Sequence, residues 1–424
     1  MSPHAPSVPA VARHGWPQAV VTALAGLVAM GVLAASGLWA AGAADLPDGA
    51  FPRVVAATVV TAVGGAVELS GDAGGLADAG AGLTVMPLSV ALVGALVTAA
   101  GFLRPLRHRA VAGTAELAGW AGRVAVVWLL ALLALSLGAR QTFAISLGDD
   151  TLSDLADVFG ISPRGGFTTD VPVTLVFGLL WLAGVLVLAL LVSRGAPLPG
   201  RLLRFQESVR PAAYAMVALL LACVALGVLV ALWVAVTRGR PAETFAVVLL
   251  GLPNLVWPAF TIGLGAGWDG RVEGAFGLPM PHVLDEVLRG SGTATLDLGA
   301  LVDHDGRVWW WLVVVDAVLV LTAGFVAAAR SPARTPPWRH AVRMAVALVL
   351  TVLMICLVCR LSAYYGLSLL GIGDLDGVGL SGDLFLRPHL WTALGLAALW
   401  GLAGGFLGGL LARPVHRRGE AGTL

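Results

Sequence analysis

Lysine is absent from this chain of 424 residues: all 26 basic residues are arginine, set against 25 acids, and the formal net charge is +1. Charged side chains make up only 12% of the sequence, about half the share of an ordinary soluble domain. That scarcity excludes a water-soluble enzyme of this size and a disordered scaffold, which depends on charge to stay solvated. It also excludes a nucleic-acid binder, which needs a basic face for phosphates. Cysteine is nearly missing. Cys223, Cys356 and Cys359 all sit in apolar stretches, so no disulfide framework is implied. Cys356 and Cys359 form a C-x-x-C string, but on a helical run where small apolar packing explains them better than redox or metal chemistry. Also missing are H-E-x-x-H, G-x-S-x-G, a Walker A string and a Rossmann glycine fingerprint. The eight histidines form no ligand pair on one helix face. No catalytic residue, metal or cofactor is therefore assigned, and the chain is not read as an enzyme.

What is abundant is apolar. Hydrophobic residues make up 58% of the chain and the mean hydropathy is +0.89. The dominance of Ala, Gly, Val and Leu, with arginine as the only strong base, reads as the coding bias of a GC-rich genome. A spanning helix needs roughly 20 apolar residues to cross a core about 30 Å thick. Ten segments qualify as candidates: about 18–42, 54–67, 83–103, 118–138, 171–193, 212–236, 244–266, 308–328, 341–361 and 389–412. The first is too long for a signal-peptide h-region of ~7–15 residues and reads as a retained helix.

Arginine sets the direction of each crossing, because short basic loops stay on the cytoplasmic side. RPLRHR at 104–109, the stretches 194–210 and 330–343, and the tail with Arg413, Arg417 and Arg418 should all lie inside. Between them come acidic segments with Asp149, Asp150, Asp154 and Asp157, and with Asp374, Asp376 and Asp383. Ten simple crossings violate this pattern at 54–67 and at 244–266, the second of which is interrupted by Pro253 and Pro258. Both read as re-entrant or broken, and irregular backbone at membrane depth needs protein or water around it. The expected fold is an all-α polytopic membrane protein of eight spans plus two re-entrant segments, ten spans being the alternative. It should lie in the bacterial plasma membrane with both termini cytoplasmic.

The series of segments runs twice. RVAVVWLLALLALSLGAR at 123–140 aligns with RMAVALVLTVLMICLVCR at 343–360, an offset of 220 at both ends. Trp181 and Arg194 match Trp400 and Arg413 at offset 219. The offset grows from 196 at Gly31 to 223 at Gly101, so the second copy carries an insertion, in the outer segment 267–307. Two parallel repeats follow, each of four spans and one re-entrant segment, an arrangement common among transporters. The division is a disordered cytoplasmic lead at 1–17, repeat one at 18–193, a linker at 194–211, repeat two at 212–412 and a cytoplasmic tail at 413–424. In the outer segments AVELSG, GLTVMPL, FAISLG, TATLDLGALV and GLSLLGIG alternate apolar residues with Gly/Asp punctuation, which predicts short extracytoplasmic strands forming a small cap.

VELSGDAGG followed by LTVMPLSVALVGALVTAAGFLRP, the later YYGLSLLGIGD and the closing LWTALGLAALWGLAGGFLGGLLARP together resemble the streptophobe family. These are very hydrophobic multi-span proteins of actinomycetes. The resemblance spans nearly the whole chain and implies a membrane location, with no activity, cofactor or catalytic residue to carry over.

Asp316 is the acid left inside a membrane helix, a placement costing at least ~2.5–3.5 kcal/mol on insertion scales. It reads either as a proton or cation site, or as a buried acid that is protonated or hydrogen-bonded to Asn254 or to backbone. Asn254, between Pro253 and Pro258, reads either as part of an ion or substrate pathway or as a satisfied amide in a kinked packing helix. Arg140 and Arg360 close equivalent helices at the acidic face, where they would pair with outer carboxylates or meet an anionic substrate. GIGD at 371–374 and the Asp-rich turns at 303–306 and 374–377 lack the partners that a protease or a calcium loop requires. The lipid bilayer is the one implied partner, and nucleic acid is excluded. A small-molecule or ion substrate and a protein partner at the cap remain open. The functional expectations are a transporter or permease-like protein with a site between the repeats or, alternatively, a non-catalytic structural or interaction protein of the envelope. A membrane-embedded enzyme comes third.

Overall fold

In hydrocarbon every backbone N–H and C=O has to be bonded within the protein, so long apolar runs resolve into helices. A computed structural model describes residues 15–46, 49–72, 77–108, 114–144, 164–193, 200–239, 241–272, 293–305, 309–332, 335–369 and 382–414. Its first half runs α1 (Trp16–Ala40), α2 (Phe51–Ala62), β1 (Val67–Asp72), β2 (Ala77–Thr84), α3 (Leu88–Leu103), α4 (Thr114–Gly138), β3 (Gln141–Ala144), β4 (Arg164–Thr169) and α5 (Val171–Val192). The second half opens with α6 (Gly200–Arg238), α7 (Pro241–Gly263), β5 (Trp268–Val272), β6 (Ala294–Leu296) and a short α8 (Leu298–Asp305). It continues through α9 (Trp310–Ala329), α10 (Pro337–Val358), β7 (Leu361–Leu369), β8 (Gly382–Pro388) and α11 (Leu390–Leu411).

Eight of these helices are long and apolar enough to cross a bilayer: α1, α4, α5, α6 over Gln206–Thr237, α7, α9, α10 and α11. The chain is a multi-pass integral membrane protein. The expected segments 54–67 and 83–103 become the shorter apolar helices α2 and α3. Part of the expected linker 194–211 is helical, because α6 begins at Gly200 and continues through Pro211. The leading segment 1–14 and the tail beyond 414 lie outside the described residues.

The expected stretches are strands in part: AVELSG from Val67, GLTVMPL to Thr84, and TATLDLGALV over Ala294–Leu296 before it turns helical at Leu298, while FAISLG beyond Ala144 and GLSLLGIG beyond Leu369 lie outside the described residues. The eight strands among the described residues form one antiparallel sheet in the order β3-β4-β1-β2-β7-β8-β5-β6. Strands β4, β5 and β8 were not expected. Their stretches RGGFTT, WDGRV and GDLFLRP are short and glycine- or charge-bearing, and ladder partners supplied by distant strands hold them extended.

Small residues let the helices approach. In α1 and α3, Gly26 faces Thr98, Gly94 faces Met30 and Gly101 faces Thr22, which sets the two helices antiparallel. Where α9 meets α11, a Cβ on Gly324 or Gly408 would collide with the facing backbone at Gly404 or Gly324. Gly401 and Gly405 seat α11 on Ala345, Met344 and Ala341 of α10 in the same manner. Between α4 and α5 the contact is aromatic, Trp128 stacking on Trp181 at 5.1 Å. One continuous apolar core runs through both halves.

The backbone contact at Gly408 yields a first test. Gly408→Ala should lower thermal stability in detergent by about 1–3 kcal/mol, the usual cost of overpacking. Gly395→Ala, a position with open space around it, should be neutral or stabilising, because alanine is the better helix former.

Candidate functional site

Helix α7 is broken at Gly251, whose φ of −141° and ψ of 17° lie outside the helical region. Pro253 follows, with no N–H to give and a ring that crowds the preceding turn. In a regular helix the Leu252 N–H would bond the Val248 carbonyl four residues back. Here Ser89, from the first turn of α3, stands in that gap. Its Oγ donates to the Val248 carbonyl at 2.8 Å and accepts from the Leu252 N–H at 3.1 Å. A single hydroxyl therefore completes both ends of the interrupted bond.

Asn254 repays the contact from the other side. Its Oδ1 accepts from the Leu88 N–H at 3.1 Å and its Nδ2 donates to the Met86 carbonyl at 2.8 Å. Leu88 begins α3, whose own preceding residue is Pro87, with no side chain able to cap it. Asn254 thus caps a helix 166 residues upstream in sequence. Of the two sequence readings of Asn254, the satisfied amide in a kinked helix matches its contacts. Pro253 sits at the kink and Pro258 is buried one turn on. Beyond Pro258, Thr261 Oγ1 donates to the Pro258 carbonyl at 2.7 Å and accepts from the Trp268 indole at 2.8 Å.

Asp316 lies elsewhere. It is 2% exposed in the second turn of α9, and no hydrogen bond joins it to Asn254. Its Oδ2 is buried without a hydrogen-bond partner among the described residues. Its neighbours are Gly263 at the end of α7 and Leu312 on its own helix, and its charge is within electrostatic reach of the Cys223 thiol of α6. Gly263 leaves the space that the carboxyl occupies, since a Cβ there would overlap Oδ2. The two residues face different partners: Met86 and Leu88 for Asn254, Gly263 and Leu312 for Asp316. An apolar groove of about 700 Å3 lies between α1, α2 and α7, lined by Ala35, Trp39, Phe51, Phe245 and Leu249, and touches neither residue.

Arg140 and Arg360 are both exposed, immediately before β3 and β7. No carboxylate among the described residues pairs with either, and Asp149, Asp150, Asp154, Asp157, Asp374 and Asp376 lie outside the described residues. An ion pair that sequence reasoning missed joins the sheet to α11. His389 Nε2 lies 2.7 Å from Asp269 Oδ2, Thr295 Oγ1 donates to Asp269 Oδ1 at 2.9 Å, and the His389 N–H bonds the Gly267 carbonyl at 2.9 Å. Residues 120 positions apart in a chain of scattered histidines offer no local signal for it. Desolvation works against the Asp269 charge, but the hydrogen bonds from His389 and Thr295 and the histidine charge outweigh it, so the carboxyl sits below its ordinary value. No cluster of three or more His, Cys, Asp or Glu able to hold a metal occurs among the described residues.

Comparison with family models, with curated proteins and with solved structures gives no match.

Two measurements follow from these contacts. Ser89→Ala should cost about 1–3 kcal/mol of stability, because it strands a buried N–H and C=O together, whereas Ser89→Thr, which keeps the hydroxyl, should lose less. A carboxyl held below its ordinary value adds stability that is complete above the usual carboxylate range and disappears as pH falls through it. Melting temperatures of the parent should therefore drop on acidification in a step that Asp269→Asn lacks.

Proposed function

We propose that this membrane protein is transporter- or permease-like, built from two parallel repeats, with an ion- or proton-binding site at Asp316. The observation that carries the reading is the buried Asp316 carboxyl, seated in space left by Gly263, whose Oδ2 has no hydrogen-bond partner among the described residues. An intramembrane acid is costly, and it persists where it meets a proton, a cation or a polar solute.

Support for the repeats comes from registers. Val67 pairs with Thr169 and Trp268 with Pro388, offsets of 201 and 219. Gln141 pairs with Phe167 and Leu361 with Leu386, offsets of 220 and 219. Helix α2 and the second part of α7, residues 252–263, correspond at offset 201, with Pro52 matching Pro253. Both end in the same cap. The N–H groups of Gly64 and Gly65 bond the carbonyls of Thr61 and Val60, and those of Gly265 and Ala266 bond Ile262 and Thr261. Gly64 and Gly265 take φ of +90° and +99°, which favours glycine. On this mapping the neighbourhood of Asp316, Gly263 and Cys223 corresponds to Val93, Ala62 and Leu27, so the polar site belongs to the second repeat alone.

Support for re-entrant α2 and α7 comes from where their ends lie. Arg53 in the first turn of α2 bonds Gln141 at the head of β3. Gly64, past its far end, faces Phe177 six residues into α5, and the Asp170 N–H then bonds the Ala66 carbonyl back beside the sheet. In α7 Gly265 faces Leu396 and Gly267 accepts from His389, the same return at offsets 201 and 219. Helices α2 and α7 then enter and leave on the sheet side, and α3 completes the eight crossings. The arginine pattern assigns the sheet to the outside of the plasma membrane and both termini to the cytoplasm. The resemblance to the streptophobe family agrees with that location and adds no activity.

The alternative reading, a non-catalytic structural or interaction protein, is favoured by one observation: the polar groups of Ser89 and Asn254 are spent on holding helices together. A protein partner would then meet the sheet.

Cysteine accessibility separates the two readings. Asp316→Cys, in a background lacking Cys223, Cys356 and Cys359, is treated with a membrane-impermeant maleimide from the sheet side. Arg140→Cys and Arg339→Cys serve as references for the two ends of the bundle. Labelling of position 316 supports a water-accessible path; no labelling with both references behaving sinks the transporter reading. In the same protein Gly263→Ala should destabilise strongly, and adding Asp316→Val should restore stability, since repeat one packs Ala62 and Val93 at these places.

A further inference from the structure

The sheet reveals a junction without its counterpart. Under the repeat offsets, β1 maps to β5, β2 to β6, β3 to β7 and β4 to β8. The order β3-β4-β1-β2-β7-β8-β5-β6 is then one four-strand series followed by the same series again. Within each series every pairing has an equivalent at the same register: β1 with β2 and β5 with β6, β1 with β4 and β5 with β8, β3 with β4 and β7 with β8. The ladder joining the two series, β2 with β7, stands alone. Its equivalent is β6 with β3, the two outermost strands.

We infer that β6 and β3 pair with each other, closing the eight strands into a barrel around the axis that relates the repeats; the inference rests on the duplication proposed above. Three observations carry it. First, the halves join head to tail: β2 offers one kind of edge and β7 the other, so β6 and β3 carry the same two unlike edges, still unused among the described residues. Second, every neighbouring pair is antiparallel and the strand number is even, so the terminal strands run in opposite directions and can close in the same sense as the rest. An odd count would forbid it. Third, the register is already specified. Leu83 pairs with Ala363 and Gly82 with Tyr364. Offsets of 213 for β2 to β6 and 220 for β3 to β7 carry these onto Leu296 with Phe143 and Thr295 with Ala144, and all four lie in β6 and β3.

Closure removes the last row of unpaired N–H and C=O groups on each edge, which otherwise invites pairing with other chains. Eight strands make the smallest common barrel, with an interior that side chains fill or that holds one small ligand. Placed over the repeat axis, the barrel turns the cap from a flat cover into a collar around a central opening.

Disulfide trapping in the full-length protein, in native membranes, tests this directly. Phe143→Cys with Leu296→Cys is the primary pair, and Ala144→Cys with Thr295→Cys is the second, because Leu296 is buried and its loss could disturb folding while Thr295 is exposed. Opposed residues in an antiparallel ladder have Cα atoms about 4.5–5.5 Å apart, within the range a disulfide spans. Leu83→Cys with Ala363→Cys, across the existing β2–β7 ladder, gives the reference yield. The native cysteines are replaced, a protease site is inserted between Val192 and Gly200, and copper–phenanthroline is the oxidant. Closure predicts a yield equal to the reference, with cleaved halves that run as one full-length species until reduced. Disulfide-linked dimers before cleavage would overturn the inference in favour of edge pairing between two copies. Absence of any cross-link while the reference pair forms would overturn it outright. Either failure leaves the repeat registers and the accessibility test at Asp316 standing, so the two proposals fail separately.

Discussion

A hydroxyl between two halves of a severed helix is the contact on which the assembly turns. Pro253 and Gly251 interrupt α7, and without a partner the Leu252 N–H and Val248 carbonyl would both be left bare. Ser89 supplies donor and acceptor at once, and Asn254 answers by capping the helix that bears Ser89. Each element completes the backbone of the other: α3 cannot start cleanly without α7, and α7 cannot bend without α3. Because these helices come from opposite halves of the chain, the exchange also fixes how the halves meet. The hydrophobic effect is weak between helices that already sit in lipid, so hydrogen bonds and close packing have to set such relationships.

The same reasoning explains where glycine is spent. At Gly64 and Gly265 it permits the left-handed turn that reverses the chain into the sheet. At Gly324, Gly404 and Gly408 it allows backbone to touch backbone. At Gly263 it does neither, and makes room for a carboxyl. On the proposed repeat mapping that position sets the second half apart from the first, where Ala62 and Val93 are its counterparts.

Much of the helical frame was legible because length and hydropathy are local properties. Segments such as 171–193 and 389–412 match α5 and α11 to within a residue or two. Asp316 was equally visible, since one acid in an apolar run stands out against its neighbours. Asn254 was visible too, but its role was not: the groups it serves, Met86 and Leu88, lie far upstream and carry no mark of needing a cap except Pro87. Ser89 carries no local mark of its role, being an ordinary small residue at the start of an apolar run. Pro253 reads from the sequence as a breach in one segment, and the structure breaks the helix at Gly251; the proposed match with Pro52 would make Pro253 the first turn of a second helix to which residues 241–251 are prefixed. Strands β4, β5 and β8 were missed because their extended state is imposed by partners in the other segments rather than by alternation of their own side chains. The Asp269–His389 pair belongs to the same class, a contact created by the sheet.

The duplication proposed above, with its head-to-tail sheet, has a consequence for ancestry. A single repeat, standing free as a half-length protein, would have carried one edge of each kind, and unlike edges attract copies without limit unless the rotation between them closes a ring. Fusing two copies into one polypeptide makes their meeting intramolecular, at an effective concentration set by the short connection between α5 and α6 instead of by expression level. It also frees each copy to change alone. Under that proposed duplication, an acid such as Asp316 would no longer have to be tolerated twice in every assembled particle, so asymmetry becomes available to selection only after the gene has doubled.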